Sequence, residues 1–269
     1  WYLSNYYSVN SSGITFMFDS LIVYSTYQIA ILGFASLIMG MSRGGIGGGF
    51  GLVGVLLAAQ IMPPLAAAAF LLPILVVTDP FAYWLYRKDV VWRSMHILLA
   101  GGLMGMIIGA ITIRLITPEA LKIFIGLLAF ILVGDGLLRK YRKVTEPRIL
   151  GPLWGLLSGS LAGYSSFLIH SGLPPIAAYL LPQNITRQAF LGTVAVFFSI
   201  CNFLKIVPYW YLGIFNFDLI WLTILFIPVS FVGLLIGRII NNYLSDRIFF
   251  VIVYFTIFLL GVRLIWTSI

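Results

Sequence analysis

The chain alternates between long apolar stretches and short polar or glycine-rich interruptions. Eight stretches are long enough to cross a bilayer, which takes about 20 apolar residues in a helix. They are residues 21–41, 64–86, 94–116, 119–138, 151–169, 187–206, 219–240 and 247–267. Two further apolar pieces, 52–61 and 176–181, are too short to span alone. The pattern predicts a polytopic, all-α membrane protein.

Each short piece follows a break in the helical pattern. The first break runs from Ser42 through Arg43 and a run of glycines to Gly51, and the second runs from His170 to Pro175. Glycine there indicates backbone that leaves the helix, which a membrane tolerates only where protein or a cavity covers it. We therefore expect both breaks to lie inside the protein.

The two halves of the sequence resemble copies of one another. Each half reads as span, break, short piece and three spans. Several positions recur at a shift of 128 or 129 residues: Gly105 and Gly109 as Gly233 and Gly237, Thr117 as Ser245, and Asp89-x-x-Trp92 as Asp218-x-x-Trp221. We therefore predict a first repeat over 1–138, a basic cytoplasmic linker over 139–150 and a second repeat over 151–269. Interrupted segments at matching positions of two repeats indicate a transporter site.

Loop charge favours an inverted relation between the repeats. Loop 87–93 carries Arg87, Lys88 and Arg93, whereas its counterpart 207–217 has neither Lys nor Arg. Because basic loops are cytoplasmic, the two loops are expected on opposite faces. Each broken segment would then cross as one discontinuous element. The alternative is that the short pieces are re-entrant hairpins, which would give each half four crossings and make the repeats parallel.

Composition agrees with a membrane protein and excludes several other classes. The chain is 61% hydrophobic and 9% charged, whereas soluble domains carry about 25% charged residues. The net charge of +8 is spread over loops, with one cluster at 139–143. This distribution fits a cytoplasmic loop of an inner-membrane protein rather than a surface that binds nucleic acid. The glycine run lacks the Gly-Lys-Ser/Thr of a nucleotide loop.

Arg43 is the strongest candidate for a functional residue. A permanent cation inside an apolar protein usually marks a pathway or a site. Arg43, the Ser42 hydroxyl and the backbone N–H groups of Gly44 and Gly45 together suit an anion. The competing interpretation is an arginine that snorkels to the membrane interface.

Asp79 lies well inside the span 64–86 and precedes Pro80. A buried carboxylate finds a cation or becomes protonated. Asp79 is therefore a candidate partner of Arg43, a candidate proton carrier, or a cap for backbone freed by Pro80.

The second half supplies further candidates. His170, Ser171 and Gly172 open the second break, and a histidine there is also a candidate for proton coupling. Thr193, Asn202 and Lys205 lie on one predicted helix and offer donors to an anion, although Lys205 at a helix end is also typical of snorkelling. No metal site, cofactor motif or catalytic set is evident, so we expect neither a cofactor nor an enzyme.

These motifs together resemble the TauE/SafE sulfite exporter family over nearly the whole chain. The first half matches through Ser42-Arg43-Gly44 and the glycines that follow, although Arg43 stands where the family pattern has Lys. The second half matches through His170-Ser171-Gly172-Leu173-Pro174-Pro175, Tyr179-Leu180-Leu181-Pro182-Gln183, Gly192-Thr193, Asn202 and Lys205-x-x-Pro208-Tyr209. Leu173 departs from a family glycine, which would change the shape of the pocket.

The resemblance implies a secondary transporter of small sulfur-containing or organic anions such as sulfite or sulfonates. The expected site is a cavity near the bilayer midplane where the two breaks meet, exposed alternately as the halves rock. The expected partners are the anion (sulfite, sulfonate or carboxylate), the lipid bilayer and, as one option, a second copy in a homodimer. The alternatives are a proton-coupled importer of an organic acid and a membrane accessory protein that transports nothing.

Overall fold

A computed structural model gives the fold of most of the chain. It describes residues 24–46, 49–117, 119–120, 150–183, 185–215 and 217–243, together with residues 123, 127, 130, 134, 255, 258, 259, 262 and 266. The predicted spans 119–138 and 247–267, the linker 139–150 and the N-terminal tail lie almost wholly outside these described residues.

The described part of the chain is helical and contains no strand. Its α-helices are α1 (Thr26–Met41), α2 (Gly49–Ala58), α3 (Pro64–Tyr86), α4 (Trp92–Thr112), α5 (Pro152–Ile169), α6 (Leu173–Leu180), α7 (Arg187–Tyr211) and α8 (Phe217–Tyr243). A π-helical turn over Ser42–Ile46 and three 3₁₀ turns at Arg87–Asp89, Ile113–Leu115 and Leu181–Gln183 complete the elements.

Four of the described helical segments are long and apolar enough to cross a membrane. They are Pro64–Asp89, Trp92–Leu115, Gln188–Tyr211 and Phe217–Ile240. The all-α membrane fold predicted from the apolar pattern is therefore confirmed at this level.

Local sequence explains where these helices begin. Ser25 caps α1 through a capping box with Gln28, which satisfies two backbone N–H groups of the first turn. Thr186 caps α7 by accepting a hydrogen bond from Ala189 N. Pro64 starts α3 at a position where the missing N–H costs nothing.

Each short helix runs back along the long helix that precedes it. Gly54 of α2 lies against Ala35 of α1, and Gly51 lies against Met39. In the second half, Gly172 lies against Ala162, and Tyr179 reaches back to Gly155. In both pairs, residues further along the second segment contact residues nearer the start of the long helix. The helices α1 and α2 are therefore antiparallel, and so are α5 and α6. The expected crossing of each broken segment as one discontinuous element does not agree with this direction.

Two helix pairs approach so closely that only glycine fits between them. In α1 and α8, a Cβ on Gly40 would overlap the Ser230 carbonyl, and a Cβ on Gly233 would overlap that of Leu37. Gly40, Gly233 and Gly237 all meet backbone of the other helix, as small residues do where membrane helices pack closely. Because residue numbers rise together along both helices, α1 and α8 are parallel.

The pair α4 and α5 repeats this arrangement. A Cβ on Gly101 or Gly105 would overlap the carbonyl of Leu156 or Ser160, and Gly163 meets Gly102 in the same way. The Ser160 hydroxyl also donates to Gly101 O at 3.0 Å. These two helices are parallel as well, and in both pairs one helix comes from each half of the chain.

The third contact between the halves joins α3 to α7. Asn202 meets Asp79, whereas Gly192, ten residues earlier, lies against the Tyr86 carbonyl. The order is reversed, so α3 and α7 are antiparallel. Buried aliphatic and aromatic side chains from all eight described α-helices pack with these two helices in one core.

Candidate functional site

The first break is a tight turn whose geometry requires glycine. Gly45 has φ 115° and ψ 4°, a conformation that residues with a Cβ rarely adopt. A Cβ on Gly44 would overlap Leu234 O of α8, and the Tyr86 hydroxyl donates to Gly44 O at 3.5 Å. The turn is therefore held between α8 and the end of α3, and it directs Arg43 into the protein.

Arg43 faces Asp79, as one of the sequence hypotheses predicted. Arg43 Nε lies 2.8 Å from Asp79 Oδ1, and both side chains are nine-tenths or more buried. The two atoms are close without the alignment of a hydrogen bond. Asp79 Oδ2 accepts a hydrogen bond from Asn202 Nδ2 at 2.8 Å. The carboxylate therefore links the first break to α7.

The second break turns at His170, which ends α5 in the left-handed conformation with φ 53° and ψ 25°. Only a few per cent of residues other than glycine adopt it, and such strain persists where the surroundings hold it. The contacts of the His170 imidazole hold this conformation. Nε2 donates to Ala68 O of α3 at 2.8 Å, and Nδ1 lies 2.9 Å from Lys205 Nζ. A carbonyl only accepts, so Nε2 carries the hydrogen and Nδ1 accepts from the ammonium.

Lys205 is fully buried and makes three hydrogen bonds. Its Nζ lies 2.9 Å from Ser166 O, 3.0 Å from Ser166 Oγ and 2.9 Å from His170 Nδ1. Three acceptors match the three N–H groups of an ammonium ion. Lys205 is thus not a snorkelling residue; it anchors the end of α5 and the second break to α7.

The two breaks meet in the core. A Cβ on Gly51, at the start of α2, would lie 3.3 Å from His170 O. Lys205 lies three residues after Asn202, the partner of Asp79, and so on the same side of α7. With Lys205 as the ammonium ion that its three acceptors fit, two cations, one carboxylate and a neutral imidazole share one buried region, which leaves an excess of one positive charge. An uncompensated charge away from water is costly, and a bound anion would remove that cost.

Two polar groups in this region remain available to a ligand. Among the described residues, Arg43 Nε and Asn202 Oδ1 are buried without a hydrogen-bond partner. A guanidinium presents two parallel N–H groups that fit an oxyanion. Arg43 is therefore the better candidate for direct contact, whereas Lys205 is already saturated.

Most other predicted residues also lie at the two breaks. Ser42, Ser171 and Gly172 are buried there. A Cβ on Gly172 would lie 2.5 Å from Ala162 O, so this glycine permits close packing onto α5. Gly44 likewise permits close packing onto α8.

Thr193 is not brought into the cluster. Its hydroxyl donates to Ala189 O at 2.7 Å and accepts from Val91 N at 3.0 Å. It lies nine residues before Asn202 on α7, about 13 Å along the helix axis. Thr193 therefore ties α7 to the turn between α3 and α4.

The predicted set omitted Ser166, which accepts two of the three hydrogen bonds from Lys205. One signal for it exists, since Ser166 lies four residues before His170 and so shares its helix face. Tyr209, one turn after Lys205, was noted only as part of a motif. Its hydroxyl donates to Phe167 O and fixes α7 against the end of α5.

Within the described residues, no group of three or more His, Cys, Asp or Glu side chains could hold a metal ion.

The comparison with curated proteins finds no match, and neither does the comparison with solved structures. A family model described as "Sulfite exporter TauE/SafE" matches residues 29–264. Since the match covers most of its length, this chain belongs to the TauE/SafE family of membrane transporters.

Proposed function

We propose that this protein is a multi-pass secondary transporter of the inner membrane that exports small sulfur-containing or organic anions such as sulfite or sulfonates. One observation carries the proposal beyond family membership. Arg43 and Lys205 reach the buried junction of the two breaks from opposite halves of the chain, and one carboxylate opposes them. Charged residues in this setting are typical of an ion pathway.

The proposed binding site centres on Arg43. Its terminal nitrogens would contact the oxyanion, supported by the N–H groups of Gly44 and Gly45 and by the Ser42 hydroxyl. Across the junction, Asn202, Ser171 and Gly172 would complete the site. His170 and Lys205 would hold the second break in place.

We propose that the repeats are inverted and that α2 and α6 are re-entrant. Two features support this arrangement: α3 and its counterpart α7 are antiparallel, and each short helix turns back along the helix before it. A hairpin that returns to its starting side leaves three crossings per half, an odd number, so the second half begins on the other face. The alternative of four crossings treated only the short piece as the hairpin and counted the span before it as a full crossing.

Alternating exposure of the site is then unlike a rocking of the two sequence halves. The glycine contacts join α1 to α8 and α4 to α5, so each close pair contains one helix from each half. We propose that these two pairs, each with its short helix, are the bodies that move, and that α3 and α7 lie between them.

Direction follows from the membrane potential. Moving one charge through 100 mV is worth about 2.3 kcal/mol. With the inside negative, an anion leaves downhill, so export needs no coupled ion. Import would need a proton or another cation, for which Asp79 and His170 are the candidate carriers.

Anion efflux from proteoliposomes tests the proposal. Vesicles loaded with methanesulfonate, sulfite or acetate are given an inside-negative potential with potassium and valinomycin. We expect efflux that accelerates with the potential and is abolished by Arg43→Ala. Arg114→Ala, which removes an exposed arginine at the end of α4, is the matched control and should leave the flux unchanged.

Each contrary result favours a different interpretation of the protein's function. Normal efflux with Arg43→Ala contradicts the site assignment. Accumulation that requires an inward proton gradient favours the proton-coupled importer, which the buried carboxylate of Asp79 makes the second candidate. An absence of flux for every anion favours the accessory protein.

A further inference from the structure

The charge excess at the junction depends on a single residue. Asp79 is the one acidic side chain that is buried in the described part of the chain. It opposes Arg43, whereas the hydrogen-bond partners of Lys205 are a carbonyl, a hydroxyl and a neutral imidazole. Removing the Asp79 charge would raise the excess from one positive charge to two.

Asp79 is a fixed part of this balance. One of its oxygens faces Arg43 and the other accepts from Asn202, each at 2.8 Å. It stands in a helix just before Pro80, so its backbone is held as well. An arriving anion therefore meets Arg43 with its carboxylate partner already in place.

We propose that Asp79 sets the valence of the anion, so that the site selects singly charged oxyanions over doubly charged ones of the same shape. The inference rests on the proposed transport function and adds a substrate class to it. A monoanion brings the local charge to zero. A dianion leaves an excess negative charge beside Asp79, away from water, where charge imbalance is expensive.

Methanesulfonate and sulfate provide a matched pair of probes. Both present an SO₃ group on tetrahedral sulfur, and they differ by one charge. Each is added unlabelled, on the side of uptake, to proteoliposomes that take up radiolabelled methanesulfonate. For the unaltered protein, we expect half-inhibition to need at least about tenfold more sulfate than methanesulfonate, equivalent to ~1.4 kcal/mol.

Substitutions of Asp79 separate charge from shape. With Asp79→Asn, which keeps the size of the side chain, the ratio of the two half-inhibition concentrations should shift at least about tenfold toward sulfate. Asp79→Glu keeps the charge and should keep the original preference. Asp89→Asn removes an exposed carboxylate from the turn after α3 and serves as the control, with no change in the ratio.

The outcomes separate this inference from the proposed function. Equal competition by the two anions in the unaltered protein overturns the valence proposal, and it does so even where Asp79→Asn fails to fold. An unchanged ratio in a folded Asp79→Asn variant overturns it too. If methanesulfonate neither enters the vesicles nor competes with sulfite that is still transported, the valence proposal is overturned as well. Absence of flux for every anion tells against transport itself.

Discussion

Two buried cations of the same chain are in different situations at the residue scale. Lys205 uses all three of its N–H groups on the end of α5 and on His170. Arg43 has its Nε beside Asp79, where it makes no hydrogen bond. The ammonium positions the second break, and the guanidinium is left to meet a ligand. A lysine is a point charge and an arginine a planar fork, which fits this division.

The ion pair can be tested by its effect on stability. Asp79→Ala leaves Arg43 buried without a counter-charge, and breaking a buried pair in this way costs about 3–5 kcal/mol. We expect a clear fall in the thermal unfolding temperature in detergent. Adding Arg43→Met should recover part of that loss. A double variant as unstable as the sum of both single variants would contradict a direct interaction between them.

Thr193 and Asn202 should separate under substitution. Thr193→Val removes a hydroxyl that joins α7 to the turn before α4, and loss of such hydrogen bonds costs about 1 kcal/mol. We expect lower thermal stability with anion flux retained. Asn202→Ala should instead reduce flux, since it removes an unpartnered oxygen at the junction. Equal loss of flux in both variants would place Thr193 in the site after all.

Sequence reasoning reached the residues of the cluster but not all of its connections. Arg43 and Asp79 were evident because charge is rare in an apolar span. The contact of His170 with Ala68 O joins residues 102 positions apart, and nothing local in the sequence indicates such a partner. Thr193 was assigned to the site because it lies on the same predicted helix as Asn202 and Lys205. The hydrogen bond that its hydroxyl accepts comes from Val91 N in a turn far away in the sequence.

At the scale of elements, the spacing of the glycines does not show which helices meet. Gly101 and Gly105 mark a face of α4, and the partner α5 begins some fifty residues later. The short apolar pieces were evident from their length. Their direction was not, because an apolar run of ten residues reads the same whether the chain crosses or turns back.

The glycine contacts predict a position-dependent response to a single added methyl group. Gly105→Ala and Gly233→Ala place a Cβ against backbone carbonyls of the facing helix, and such overpacking costs about 1–3 kcal/mol. We expect both to lower the thermal unfolding temperature in detergent.

Gly151 supplies the control for this series. It has ordinary dihedral angles and open space around its Cα, so Gly151→Ala should change the unfolding temperature little. A similar fall at all three positions would mean that helix packing is not the cause.

At the scale of the molecule, the antiparallel arrangement of α3 and α7 places matching loops at opposite ends. The turn at Arg87–Asp89 lies near the start of α7, and the end of α7 lies far from it. The basic first turn and its uncharged counterpart then fit opposite membrane faces. This agreement between loop charge and helix direction is independent support for inverted repeats.

Cysteine labelling tests this topology. In a Cys201→Ala background, Lys88→Cys and Tyr211→Cys each place one thiol at an exposed position. A membrane-impermeant maleimide added to intact cells should label Tyr211→Cys, whereas Lys88→Cys should react only after the cells are opened. Labelling of both positions from the same face would make the repeats parallel.

The pairing of α1 with α8 has a consequence for how the protein is made. Helix α1 leaves the ribosome long before α8, against which it packs by its glycines, so its close partner is absent while the residues between the two helices are made. At 5–20 residues per second, that wait is on the order of ten seconds or more. During it, the Gly40 surface of α1 lies in the membrane without its final neighbour. The close contact between α1 and α8 therefore forms late, after the helices between them have been made.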